Sequence, residues 1–166
     1  MKRLIEIREY EHADLTMLRD WLAQSHVKEW YPVPDSNLDW ASRPPANGGH
    51  ALIELEGNPV GYIRWTIVSR AILDSVGLSE VPTGSADVDI LIGDKRHVSQ
   101  GIGPVALSLL ASRLTEQGGV PLIGLTTSKK NTAAHRAFEK AGFSKTAEYS
   151  PDGFGDCYLF TLSLRK

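Results

Sequence analysis

Apolar residues recur along the chain with two different periods, and these periods predict the elements of the fold. Leu15, Leu18, Trp21 and Leu22 follow the spacing of a helix, and Asp14 before them is a candidate N-cap. Short runs of β-branched and aromatic residues between turn signals predict strands. The predicted strands are 4–7, 51–55, 60–68, 88–92, 122–125, 143–149 and 156–164, and the other predicted helices are a short one within 69–79, then 101–117 and 131–141.

Residues 25–49 follow neither period. Prolines at 32, 34, 44 and 45 and glycines at 48 and 49 exclude a long regular element, so a long loop is expected here. Loops of this length in compact domains are usually functional or disordered. Trp30, Tyr31 and Trp40 argue against disorder, because disordered segments are poor in aromatic residues.

The order of the elements predicts a mixed sheet with helices on its faces. The predicted fold class is therefore α/β, with an α+β type of mixed sheet. A length of 166 residues is typical of one domain, and a single domain over residues 1–166 is expected. The formal net charge of −2 argues against a nucleic-acid partner, because nucleic-acid-binding proteins usually carry a basic patch.

Cysteine and histidine usage narrows the possible chemistry further. Cys157 is the single cysteine of the chain, so no internal disulfide is possible. The five histidines show no ligand spacing, so no metal site is expected. No signal peptide and no 18-residue apolar run are present, and the expectation is a cytoplasmic protein without a membrane partner.

The segment 91–103 runs from a strand through a polar loop into a helix that begins Gly101-Ile102-Gly103-Pro104. A helix N-terminus presents unpaired N–H groups and a partial positive charge, and glycines let a phosphate approach the backbone closely. An ordinary glycine-rich turn without a ligand is an equally good interpretation of this segment alone. It is neither a dinucleotide fingerprint nor a Walker loop, because Gly-x-Gly-x-x-Gly and Gly-Lys-Ser/Thr are absent.

The helix at 131–141 carries the pattern Asn-x-x-Ala-x-x-x-aromatic and ends at Gly142-Phe143. With the glycine loop, it resembles the acetyl-CoA-binding core of the GNAT superfamily of N-acetyltransferases. The resemblance covers nearly the whole chain and implies the acyl-CoA N-acyltransferase fold, a central, mostly antiparallel mixed sheet flanked by helices. It implies acetyl-CoA as cofactor and coenzyme A as product. The matching residues are Gln100, Gly101, Ile102, Gly103 and Pro104 at the pyrophosphate, Leu91 and Ile92 at the pantetheine amides, and Asn131 and Ala134 at the pantetheine or thiol.

Three further segments resemble one branch of this superfamily, the aminoglycoside 6′-N-acetyltransferases. Residues 21–31 are similar to the branch's Trp-Leu…His-x-x-Glu-Trp-Trp, 57–63 to its hairpin, and 88–94 to its Ile-Asp-x-Phe/Leu-Ile-Gly, and the turn 151–153 also matches. The resemblance implies transfer of acetyl to the 6′-amine of a cationic aminoglycoside, an antibiotic-resistance activity. A monomer or a homodimer is expected.

Asp89 lies in the middle of an apolar strand, where a carboxylate is costly to bury without partners. A structural aspartate with satisfied hydrogen bonds is one interpretation. The other is catalytic: an alkylamine has a pKa of about 10.4 and must lose a proton before it attacks a thioester. A positioned carboxylate can accept that proton or anchor the amine. Related siderophore-type acetyltransferases tend to carry histidine at this position, so Asp89 favours the aminoglycoside branch.

Four other residues are candidates for the acceptor site. Asp87 shares a strand face with Asp89. Trp30 and Tyr31 are interpreted either as a wall for a sugar ring or as anchors of the 25–49 segment. Thr126 occupies the place where the branch commonly has a substrate-binding aspartate. His26 and Glu29 are predicted to hold the segment by hydrogen bonds.

Three departures from the family pattern bear on mechanism and specificity. Phe138 occupies the position of a tyrosine general acid in many GNAT enzymes and has no proton to donate; Tyr149 and Tyr158 are candidate replacements. Arg64 replaces a neutral glutamine of the branch and would repel a polyamine. Val98 replaces the basic or glutamine residue that opens the glycine-loop motif in most of the superfamily. Two alternatives therefore stay open: another acceptor, such as a hydroxylamine, siderophore or peptide amine, or a non-catalytic acyl-CoA-binding module.

Overall fold

The computed structural model describes residues 3–151 and 155–165, which contain one seven-stranded sheet of order β1-β2-β3-β4-β5-β7-β6. Strands β4 and β5 pair in parallel, and the other described neighbours are antiparallel. This confirms the predicted mixed, mostly antiparallel sheet. The strands are β1 (Ile5–Glu9), β2 (Gly48–Leu55), β3 (Asn58–Ile67), β4 (Ala86–Ile92), β5 (Leu122–Ser128), β6 (Ser144–Tyr149) and β7 (Cys157–Ser163).

The described helices are α1 (Leu15–Leu22), α2 (Ser25–Lys28), α3 (Pro34–Ser42), α4 (Arg70–Ser75), α5 (Ile102–Gln117) and α6 (Thr132–Lys140). The expectation of a long loop over 25–49 is wrong in part, because α2 and α3 lie inside it. Pro34 begins α3, and a proline in the first turn removes an N–H that has no helical partner. Asp14 stands at the N-cap position of α1, but its carboxylate accepts hydrogen bonds from Arg8 and the Glu11 N–H instead of capping the helix.

The two faces of the sheet bury separate apolar cores. Helices α5 and α6 cover one face, with Leu107, Leu110 and Phe138 among its buried residues. Helices α1 to α3 cover the other face, where Trp21 packs with Leu91 of β4. Because side chains alternate along a strand, β4 contributes to both cores, and its odd-numbered residues face α1 to α3.

No helix within the described residues is long and apolar enough to cross a membrane. The predicted turn at 151–153 falls at the edge of the described chain. Asp152 and Gly153 lie outside the described residues.

Candidate active site

A cleft of about 910 Å³ opens where β4 and β5 part. The two strands pair only at Ala86 with Ile123 and Asp87 with Gly124, although β4 continues to Ile92 and β5 to Ser128. Beyond the last pair, both strands line the cleft instead of bonding to each other. The break in pairing therefore leaves one edge of β4 free to bind a ligand.

The first end of this cleft, here called the glycine end, is formed by Gly101, Ile102, Gly103 and Pro104 at the start of α5. Gly101 is the N-cap and has φ of 79°, a left-handed conformation that favours glycine. A β-carbon added at Gly103 would meet no atom within 4 Å. The backbone at the start of a 16-residue helix is thus open to an anionic ligand.

The N-terminus of α6 forms a second wall of the cleft. Asn131 is its N-cap, and its Oδ1 accepts a 3.3 Å hydrogen bond from the Ala134 N–H. Capping occupies one group of the amide and leaves its NH₂ as a donor. Ala133, Ala134 and Ala137 present small side chains to the cleft, so a ligand can lie close to the helix.

Phe138 also borders the cleft, but its ring is 6% exposed and packs against Phe160 at 5.5 Å between ring centroids. The aromatic position of the family motif is therefore part of the core. A phenyl ring offers no proton there.

The free edge of β4 carries two anchored carbonyl groups. The Tyr31 hydroxyl donates a 2.8 Å hydrogen bond to Ile90 O, and His26 Nε2–H donates one of 2.9 Å to Ile92 O. The N–H and C=O of one strand residue point to the same side, so the N–H groups of Ile90 and Ile92 also face the cleft. Leu91 O points the other way, since a β-carbon added at Gly61 on β3 would lie 2.5 Å from it.

The other end of the cleft, here called the acidic end, is formed by Asp87 and Asp89 of β4 with Arg64 of β3. Arg64 Nε donates a 3.1 Å hydrogen bond to Asp89 Oδ2, and the two residues are direct partners in the β3–β4 register. The Arg64 guanidinium also lies over the Trp40 ring at 4.8 Å. Burial within the cleft walls and the nearby charge of Asp89 raise the pKa of Asp87 to about 7, although solvent still reaches its carboxylate.

Two hydroxyl groups bond to each other beside this acidic end. Thr126 of β5 and Tyr149 at the end of β6 share a short hydrogen bond, and both residues line the cleft. Burial raises the pKa of Tyr149 above its usual value. Tyr158 is not among the cleft residues, and its ring contacts His135 and Lys145.

The structure brings together nearly all of the residues predicted for the site. Gln100 differs, because its side chain bonds to Arg3 and to Arg96 O outside the cleft. His26 holds the α2 segment as predicted. The Glu29 N–H donates to Ser25 O, but the exposed Glu29 carboxylate makes no hydrogen bond among the contacts of residues 3–151 and 155–165. The predicted residues that line the cleft are Trp30, Tyr31, Asp87, Asp89, Leu91, Ile92, Gly101, Ile102, Gly103, Pro104, Thr126, Asn131 and Ala134.

Sequence reasoning missed several other cleft residues. The backbone of Ile90 faces the cleft, and the two-residue alternation of a strand beside Ile92 was the signal that could have found it. Arg136 and Lys140 line the cleft as well, and both lie within the predicted helix 131–141. Within the described residues there is no group of three histidine, cysteine or acidic side chains that could hold a metal ion.

Comparison with known proteins agrees with this geometry. Residues 11–150 match the acetyltransferase (GNAT) domain family, and the chain belongs to that family. Aminoglycoside N(6′)-acetyltransferases type 1 from Klebsiella pneumoniae and Serratia marcescens are each 28% identical to it over 153 residues, which cover 86% of this chain and 75% of the relative. The crystal structure of aminoglycoside acetyltransferase AAC(6′)-Ib with coenzyme A and kanamycin has the same fold, with a TM-score of 0.81, 24% identity, and 96% and 95% of the two chains covered.

Proposed function

We propose that this chain transfers the acetyl group of acetyl-CoA to a primary amine, and that the acceptor is the 6′-amine of an aminoglycoside. One observation carries the proposal: a single cleft joins an anion-binding helix start to two carboxylates on β4. The names of the 28% identical relatives support the same acceptor class. The cytoplasmic location, the single domain and the monomeric or homodimeric state expected from the sequence remain predictions.

The glycine end fits coenzyme A. The exposed N–H groups and positive end of α5 suit a pyrophosphate, and the space beside Gly103 admits one. The free edge of β4 and the small side chains of α6 suit an extended amide-containing arm. Acetyl-CoA, when bound, supplies an acetyl group activated as a thioester. The N–H groups of Ile90 and Ile92 are candidates to polarise the thioester carbonyl.

The acidic end fits a cationic acceptor. Asp87 and Asp89 give this part of the cleft a negative field that attracts and orients an ammonium group. One carboxylate must also take up a proton before the nitrogen can attack, and Asp89 is the residue predicted for this role from the sequence. Trp30 and Tyr31 form the wall beside it, where the Tyr31 bond to Ile90 fixes the ring against β4.

The direct test is thiol release from acetyl-CoA with kanamycin as acceptor. The matched control acceptor is an aminoglycoside that carries a 6′-hydroxyl in place of the 6′-amine. We expect turnover with kanamycin, none at that position with the control, and better growth of a susceptible host in kanamycin when the chain is expressed. Binding of acetyl-CoA without turnover on any amine would instead indicate a non-catalytic module.

Arg64 favours a second candidate function on the same cleft. A guanidinium at the acidic end opposes a polycation but tolerates a small amine or hydroxylamine of lower charge. A panel with kanamycin, spermidine and an alkyl hydroxylamine separates the two functions. A kcat/KM for the hydroxylamine that exceeds the value for every aminoglycoside would replace the first proposal with the second.

A further inference from the structure

The two carboxylates at the acidic end differ in their ion pairing. Asp89 is held by Arg64, whose Nε lies 3.1 Å from Asp89 Oδ2 and whose side chain is only 19% exposed. The Arg64 position is itself fixed, because the guanidinium packs on Trp40. A carboxylate that already shares its charge with a guanidinium presents less negative charge to an incoming ammonium group.

Asp87 has no such partner: none of the ion pairs found in residues 3–151 and 155–165 involves it. Its backbone is fixed as the last residue of β4 that pairs with β5, opposite Gly124. Its side chain is exposed within the cleft, at the point where the two strands part. The structure thus places an unpaired carboxylate on a rigid strand at the start of the free edge.

We propose that Asp87, and not Asp89, accepts the proton of the attacking amine. The inference rests on the proposed function and assigns the base of that reaction. The substrate ammonium gives one proton to the Asp87 carboxylate. Its nitrogen lone pair then forms the N–C bond while the C–S bond breaks and its electron pair leaves on sulfur. The second proton lost by nitrogen ends on sulfur, and Asp87 returns its proton to water. Asp89 holds Arg64 and adds to the field that attracts the substrate.

The surroundings of Asp87 suit this role. Solvent reaches the Asp87 carboxylate from the cleft, but the surrounding protein atoms partly desolvate it. This desolvation and the charge of Asp89 shift the pKa of Asp87 upward, whereas Arg64 lowers it. A general base works best when its pKa lies near the working pH. The other ionisable groups that face Asp87 are the hydroxyls of Tyr31, from the segment after α2, and Tyr149, from β6.

The test compares Asp87→Asn with Asp89→Asn, using kanamycin and acetyl-CoA across pH 5 to 9. Asp20→Asn is the matched control, because Asp20 is an exposed carboxylate on α1 outside the cleft. We expect D87N to lower kcat by roughly 10²- to 10³-fold and to abolish the acid limb of the kcat profile, as for loss of a general base. D89N is expected to act mainly by raising the KM for kanamycin.

Binding of coenzyme A and thermal melting show whether D87N is folded, and Asp87→Glu, which keeps a carboxylate, is expected to retain the acid limb. A kcat of D87N within tenfold of wild type, or a larger loss of kcat in D89N than in D87N, would overturn the proposal. Turnover of aminoglycosides by the wild-type protein tests the proposed function separately. If it acetylates no aminoglycoside, that function fails, and the same variants are then compared with the best amine of the acceptor panel.

Discussion

The glycine end of the cleft is built from backbone groups and small side chains, whereas the acidic end is built from charged side chains on separate strands. Gly101 and Gly103 belong to one short segment. Arg64, Asp89 and Tyr149 come from β3, β4 and β6 and meet only after folding. Backbone groups can bind the same ligand when the neighbouring side chains differ. The acidic end, in contrast, can accept a different ligand when a single side chain is replaced. In the proposed reaction, the donor is therefore specified by backbone geometry and the acceptor by charged side chains.

The largest effect is expected at the glycine end. Gly103→Glu places a bulky anion in open space at the start of α5, so the fold tolerates it while the cleft does not. The Kd for coenzyme A should rise on the order of 100-fold, about 2.7 kcal/mol, by calorimetry. Ser108→Glu, an exposed change on the same helix, is the control. Unaltered affinity in G103E would mean that coenzyme A binds elsewhere.

An intermediate effect is expected at the acidic end. Arg64→Gln removes the cation that opposes a polyamine and frees Asp89, so the KM for kanamycin should fall about tenfold, close to 1.4 kcal/mol. The Kd for coenzyme A should stay unchanged, which separates the two ends. Arg70→Gln, which breaks an exposed ion pair with Asp74, serves as the matched control. A higher KM in R64Q would show that Arg64 binds the acceptor.

A smaller effect is expected for Tyr149→Phe. Because burial raises the pKa of Tyr149, its hydroxyl is a weak acid, and we expect kcat to fall by less than about tenfold. Steady-state kinetics beside Tyr158→Phe, whose ring lies outside the set of cleft residues, provide the check. A loss of 100-fold or more in Y149F alone would identify Tyr149 as the proton donor that Phe138 cannot be.

The smallest effect concerns stability against pH. The pKa of Asp87 is raised to about 7 in the folded state, whereas in the unfolded chain it lies near 4. Between these values the folded state holds a proton that the unfolded chain has released, so the contribution of Asp87 to stability falls as pH rises from about 4 to 7. D87N lacks this term. Its Tm relative to wild type should therefore increase from pH 5 to pH 8. A constant difference for D87N would contradict the raised pKa.

The fold and the glycine end were largely predictable because their signals are local. The helix start at Gly101 and the capped helix after Asn131 are each encoded within a few adjacent residues, and the structure places both on the cleft. The 25–49 segment was not predictable in the same way. Its prolines are typical of a break in regular structure, but Pro34 begins α3, and the segment is ordered by its packing against β4.

The ion pairs of the site depend on strands that are distant in the chain. Arg64 and Asp89 are 25 residues apart and become partners only through the β3–β4 register, which no local pattern reveals. Thr126 of β5 and Tyr149 of β6 likewise meet only because both strands pair with β7. The sequence therefore determined the family, the sheet and the two helix starts that line the cleft, since these depend on neighbouring residues and on periodicity. Tertiary structure decided which carboxylate is paired and which is free, because charge pairing requires strands that are distant in the chain to lie side by side.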